Sequence, residues 1–171
     1  LVNGKIIGVI RGGSEVGPRA LGNRSIICHA AIPNMKDILN KKVKNREPYR
    51  PFAPLCRFDE SSTFFETNYR RNDDHRWMSF CPNVRPEHKD KLASITHVDG
   101  TARLQAVNEF ENHWLYSLFA TFVEMNDYPV LINTSFNIAG KPILNSYKDG
   151  LWMLENTQMD GLILEDFYIR K

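Results

Sequence analysis

The sequence is poor in cysteine, and what it has does not pair. Cys28, Cys56 and Cys81 form no CxxC motif, and three thiols leave one over under any disulfide scheme. A disulfide scaffold is thereby excluded, and free thiols in a reducing cytoplasm are expected. His29 beside Cys28 is the nearest approach to metal-ligand spacing, which is too little for a cysteine metal site. Also missing is any run of eighteen uncharged apolar residues, so no membrane span is predicted and the protein is expected to be soluble. Internal repeats and low-complexity tracts are absent as well. The chain opens on Leu1, with a strand-like run at Lys5 to Ile10 and no charged leader or small-residue cleavage site, so it reads as a piece of a longer protein.

What is present suits one globular domain: 171 residues, 42% hydrophobic and 25% charged. The net charge of +2 conceals an asymmetry. Residues 17 to 57 hold nine Lys or Arg against only Asp37 and Glu47, which leaves that segment at +7 and the remainder at −5. A basic block of this kind points to a bound anion, either a small polyphosphate or a nucleic-acid backbone; a solvated helix face is the plain alternative.

Hydrophobic patterning predicts strands at Lys5 to Ile10, Ser25 to Ala31, Met78 to Val84, Ala102 to Val107, Pro129 to Asn133 and Leu162 to Ile169. Helices are predicted from Met35 to about Arg46, from Glu109 to Asn126 and from Tyr147 to Glu155, with a small helix after residue 57 followed by an exposed loop. In the first helix Asn34 is the expected cap, Met35, Ile38, Leu39 and Val43 share the apolar face, and Lys36, Lys41 and Lys44 fall off it. Phe110, Leu115, Leu118, Phe119, Phe122 and Val123 mark the core face of the long helix, while Phe58, Phe64, Phe65 and Tyr69 form a short aromatic cluster. Strands alternating with helices indicate an α/β or α+β domain around a twisted mixed sheet.

The chemistry concentrates in loops. In Gly17 to Ser25, two glycines let the backbone approach a ligand, and Arg19 and Arg24 offer planar forks of donors suited to phosphate or carboxylate. A tight turn with surface ion pairs accounts for the same residues. Lys44 either supplies a point charge to a phosphate or complements its helix C-terminus. Arg103 either clamps an anion or pairs across strands, and Ser135 with Asn133 either binds ligand or stabilises a turn. His97 and Asp99 invite a general-base reading, but without a nucleophile they fit better as orienting residues.

Four segments, in order, resemble the C-terminal domain of O-carbamoyltransferases that modify nodulation factors, cephamycins and aminoglycosides. They are Glu15 with Gly17 to Ser25; Lys44, Arg46 and Glu47 with Arg50 to Pro54; His97 to Arg103; and Asn133 to Asn137. The resemblance spans nearly all of residues 1 to 171 and implies a single YrdC-like domain. It implies that ATP and carbamoyl phosphate are converted here to carbamoyl adenylate, with Mg²⁺ carried in on the nucleotide and no metal ligands from this chain. An N-terminal Kae1-like domain, absent from this chain, would be its partner and would pass the carbamoyl group to a hydroxyl. By motif, the adenylate-forming residues are Arg19, Lys44, Arg50, Arg103 and Ser135. Further contacts to nucleotide or carbamoyl phosphate fall to Asn23, Arg24, His97, Asp99, Asn133, Thr134 and Asn137. The sequence departs from the family at Arg11 to Ser14, where a more apolar approach is usual, and at Lys141, where Glu is frequent.

Three competing readings share this fold. One is an RNA-binding module, although only Tyr49 and Phe52 interleave with the basic block as stacking platforms. Another is a threonylcarbamoyl adenylate synthase or a hydrogenase-maturation carbamoyltransferase, for which this ordered set of four motifs is not expected. The third is a non-catalytic domain that merely closes over its partner, which the presence of all five adenylate-forming candidates disfavours. Membrane and nucleic-acid partners are not expected.

Overall fold

Seven short strands pair into one sheet, in the order Gln105–Val107, Ala53–Arg57, Leu131–Ser135, Arg24–His29, Ile7–Ile10, Gly161–Leu164 and Phe167–Arg170. The computed structural model describes residues 1–67, 75–138 and 140–171. The strands are β1 (Ile7–Ile10), β2 (Arg24–His29), β3 (Ala53–Arg57), β4 (Gln105–Val107), β5 (Leu131–Ser135), β6 (Gly161–Leu164) and β7 (Phe167–Arg170). β1 runs antiparallel to β2 and parallel to β6, and β5 lies antiparallel between β2 and β3. The sheet is therefore mixed, in keeping with the α+β expectation.

Both faces are covered, which explains why the central strands read as continuous apolar runs. Ile10, Ile26 and Cys28 face α1 (Met35–Leu39) and α4 (Tyr147–Asn156), where Met35, Leu39, Met153 and Leu154 are buried. Ile7, Val9, Ile27 and Leu131 turn the other way and meet Leu115, Phe119 and Phe122 of α3 (His113–Glu124). Gly8 lies in β1 where a side chain would not fit: a Cβ there would sit 2.5 Å from the Phe136 ring, which is fully buried at the end of β5.

Several expectations need correction. Met78 to Val84 is not a strand, and only isolated bridges join Asn83 to Thr101 and Val84 to Phe65. The single C-terminal strand is instead a hairpin of β6 and β7, turning at Glu165 with φ 50°. Phe110 is 97% exposed rather than core, because α3 starts later: Asn112 caps it by accepting from the Leu115 amide at 2.9 Å. Asn34 makes no side-chain cap and adopts a left-handed backbone. The helix after residue 57 is α2 (Ser61–Phe64), while Tyr69 and most of the loop expected after it lie outside the described residues. Most consequential, α1 does not continue as an α-helix to Arg46. It widens into a π turn over Asn40–Lys44, closed by Asn45 in the left-handed region.

Candidate functional site

The π turn follows from Asn40. Its fully buried side chain donates to the carbonyls of Pro48 and Arg50 at 3.2 and 3.1 Å and accepts from Arg46 Nε at 2.7 Å, so it ties the turn to the following loop. Widening the helix by a residue rotates Lys44 off the solvent side predicted by a 3.6-residue period, and the side chain is only 2% exposed. Its ammonium donates to Ser135 O at 2.7 Å, Asn137 O at 2.8 Å and Asn137 Oδ1 at 2.6 Å, with Ser135 Oγ at 3.4 Å. Ser135 Oγ donates in turn to Asn137 Oδ1 at 2.6 Å. Burial, reinforced by the nearby Arg46 charge, pulls Lys44 down to about 7.

The glycine loop is held from several directions. Glu15 Oε1 accepts from the amides of Leu21, Asn23 and Arg24 at 2.7, 2.7 and 3.3 Å. Gly17 and Gly22, at φ 130° and 121°, take backbone shapes that a side chain would strain. Asn133 Nδ2 donates to Ala20 O at 3.0 Å and to Gln105 Oε1 at 2.7 Å, and Gln105 Nε2 donates to Leu21 O at 2.9 Å. Strands β4 and β5, on either side of β3, thus hold the loop that displays Arg19.

A cavity of about 120 Å³ opens between this loop, β3 and β5. Arg19, Arg46 and Arg103 line it together with Phe52, Thr134 and Ser135, and no carboxylate does among the described residues. Arg46 stacks on the Phe52 ring at 4.6 Å. Arg103 is half-buried, and its Nε is buried with no hydrogen-bond partner among the described residues. Burial first, then the Arg19 charge, lower the Arg103 pKa, and burial with Arg50 and Arg103 does the same to Arg46. Like charges gathered without acids, one with an unused donor, are suited to an anion with several oxygens.

The residues named from sequence divide in position. Arg19, Arg103, Asn133, Thr134 and Ser135 line the cavity, and Lys44 and Asn137 form the network adjoining Ser135. Arg50 stands outside the lining, exposed and paired with Glu47 at 3.0 Å. Asn23 donates to Gly13 O at 2.9 Å, and Arg24 donates to the carbonyls of Arg11, Gly12 and Asn23. Both brace the loop from outside the cavity. His97 and Asp99 shape a turn: His97 Nδ1 lies 3.0 Å from Thr101 Oγ1, and Asp99 Oδ1 accepts from the Thr101 amide and hydroxyl. Burial chiefly lowers the His97 pKa, with Arg103 acting in the same direction.

Arg46, Phe52 and Gln105 received no role from the sequence. Arg46 sits two residues after Lys44 in the basic block and within the segment that carries the family resemblance, and those were its available signals. Gln105 reads simply as the polar half of a strand alternation, and its function as a brace depends on Asn133, 28 residues away.

A family model described as Carbamoyltransferase C-terminus matches residues 1–171. Nodulation protein NolO of Bradyrhizobium diazoefficiens is 42% identical over 174 residues, covering all of this chain and 31% of that protein. The 3'-hydroxymethylcephem-O-carbamoyltransferase of Streptomyces clavuligerus is 35% identical over 171 residues, covering all of this chain and 32% of its own length. The chain therefore spans about a third of these relatives. Full-length HypF, solved in a phosphate- and nucleotide-bound form, superposes with a TM-score of 0.65 at 18% identity over 98% of this chain and 24% of that one, a likeness of fold. With the family model matched from end to end, the chain belongs to the carbamoyltransferase C-terminal family.

Proposed function

We propose that this domain binds ATP and carbamoyl phosphate in the cavity ringed by Arg19, Arg46 and Arg103 and makes carbamoyl adenylate there. The observation that carries the reading is the carboxylate-free cluster of three arginines beside the buried ammonium of Lys44. Phosphoryl transfer to carbamate needs little covalent help from protein. It needs fixed cations where charge develops. Water hydrolyses carbamoyl phosphate to carbamate and inorganic phosphate; a carbamate oxygen then bonds to the α-phosphorus of ATP, and the bond to pyrophosphate breaks with its electron pair leaving on pyrophosphate. Arg19 and Arg103 hold phosphoryl or carbamoyl oxygens as forks, and Lys44 acts as a point charge. Ser135 presents a hydroxyl at the same place. Mg²⁺ enters on the triphosphate.

HypF in its phosphate- and nucleotide-bound form, together with the antibiotic carbamoyltransferase relatives, supports this assignment. Transfer to a hydroxyl belongs to a Kae1-like acceptor domain elsewhere in the full-length protein. The test is ³¹P NMR of the chain with ATP, Mg²⁺ and carbamoyl phosphate. A new α-phosphorus signal, formed together with pyrophosphate and lost in Arg103→Ala, is the expected outcome. Inorganic phosphate release without consumption of ATP would overturn adenylate formation.

A further inference from the structure

Asn133 of β5 lines the anion cavity and is 1% exposed, yet its Oδ1 has no hydrogen-bond partner among the described residues. The acceptors around it fix which way its amide points. Leu21 O and Ala20 O can only accept. Gln105 Nε2 therefore faces Leu21 O at 2.9 Å, which turns Gln105 Oε1 toward Asn133. Asn133 Nδ2 then uses both of its protons, one on Gln105 Oε1 at 2.7 Å and one on Ala20 O at 3.0 Å. What remains is a buried acceptor, Asn133 Oδ1, on a cavity whose three arginines can only donate. A fully ionised polyphosphate, all of whose oxygens accept, would leave that oxygen unsatisfied. An acyl phosphate ending in –NH2 satisfies both sides: its phosphate oxygens face the arginines, and its amino group has protons to give.

We infer that Gln105 is a positioning residue for substrate selection: by holding the Asn133 amide with its oxygen free, it makes the cavity prefer an acyl phosphate that carries –NH2 to one that carries methyl. The inference rests on the carbamoyl phosphate reading of the cavity. Gln105 is 3% exposed and is not part of the cavity lining, so it acts through Asn133. The preference comes from the penalty on the wrong ligand, since a methyl group against Oδ1 shields it from water and offers no proton.

The test is calorimetry of two stable phosphonates, carbamoylmethylphosphonate and acetonylphosphonate. Both carry a methylene in place of the bridging oxygen, and they differ only in amino against methyl. The wild-type chain should bind the amide about thirtyfold more tightly. Gln105→Leu leaves Ala20 O as the one acceptor holding Asn133, and the ratio should fall to about threefold or less. Loss of packing alone would weaken both probes and leave the ratio unchanged. Gln105→Glu keeps an acceptor for Asn133 Nδ2 whether or not it is ionised, so the ratio should be kept even where the added acid weakens both probes. Equal affinities in the wild type, or a ratio that Gln105→Leu leaves unmoved or that Gln105→Glu also loses, would overturn the inference alone. If neither phosphonate binds the wild type, the carbamoyl phosphate reading of the cavity fails and the selection fails with it.

Discussion

The ammonium of Lys44 is bonded by carbonyl, amide and hydroxyl oxygens rather than by a carboxylate, and it is nearly sealed from water. Such a charge is held at a cost. Because its pKa is drawn down to about 7, the side chain is largely neutral at pH 8, and an arriving phosphate draws a proton back onto it. Binding of ATP at pH 8 should therefore take up close to one proton, measured by calorimetry in buffers of different ionisation enthalpy, and Lys44→Met should abolish that uptake. For stability the sign is the reverse of a salt bridge. The unfolded chain holds more protons between about pH 7 and 10.5, so the contribution of Lys44 to folding rises with pH across that window. Glu15 acts at the same scale through the loop. Removing its carboxylate leaves three amides without their acceptor, and Glu15→Ala should lower stability by about 2 kcal/mol in thermal melts and weaken ATP binding. Glu15→Gln keeps an acceptor oxygen and should restore most of both.

At the scale of elements, the site depends on how tightly β1 meets the end of β5. Gly8→Ala should cost about 1–3 kcal/mol in urea unfolding, since its methyl would collide with Phe136, one residue after Ser135 and one before Asn137. Ser146→Ala gives a contrast. It removes the capping box of α4, none of whose residues lines the anion cavity, and should cost about 1 kcal/mol without changing tripolyphosphate affinity. Most of this architecture was legible in the sequence. β1, β2, β5 and α4 stand out because apolar period and turn chemistry agree there. Met78 to Val84 misled because its apolar residues belong to a loop that makes only isolated bridges. The π turn was illegible, since its cause is a hydrogen-bonding pattern between Asn40 and carbonyls 8 and 10 residues later, which leaves no periodic trace. Lys44 and Ser135 were found as site candidates by motif, whereas their contact across 91 residues of sequence is a product of the fold.

For the whole molecule, three cations of the basic block of residues 17 to 57 gather in or beside one cavity. Arg19, Arg46 and Lys44 come from that block, and Arg103 joins them from outside it. Arg50, the fifth adenylate-forming candidate, stays outside with Glu47, so its part is open to a direct check. Arg50→Ala should change the pyrophosphate reaction far less than Arg19→Ala. Among the described residues no helix is long and apolar enough to cross a membrane. The chain covers about a third of its carbamoyltransferase relatives, and the division of labour proposed here gives it activation and leaves transfer to the remainder. The most direct measurement is carbamoyl-phosphate-dependent exchange of labelled pyrophosphate into ATP by this chain with Mg²⁺, alongside Arg19→Ala and Lys44→Ala. Exchange in the wild type that falls roughly 100-fold in each variant is the expected result, corresponding to about 3 kcal/mol of transition-state stabilisation per cation. Exchange that persists undiminished in both variants, or that is absent from the wild type while ATP binds, would contradict adenylate formation in this cavity.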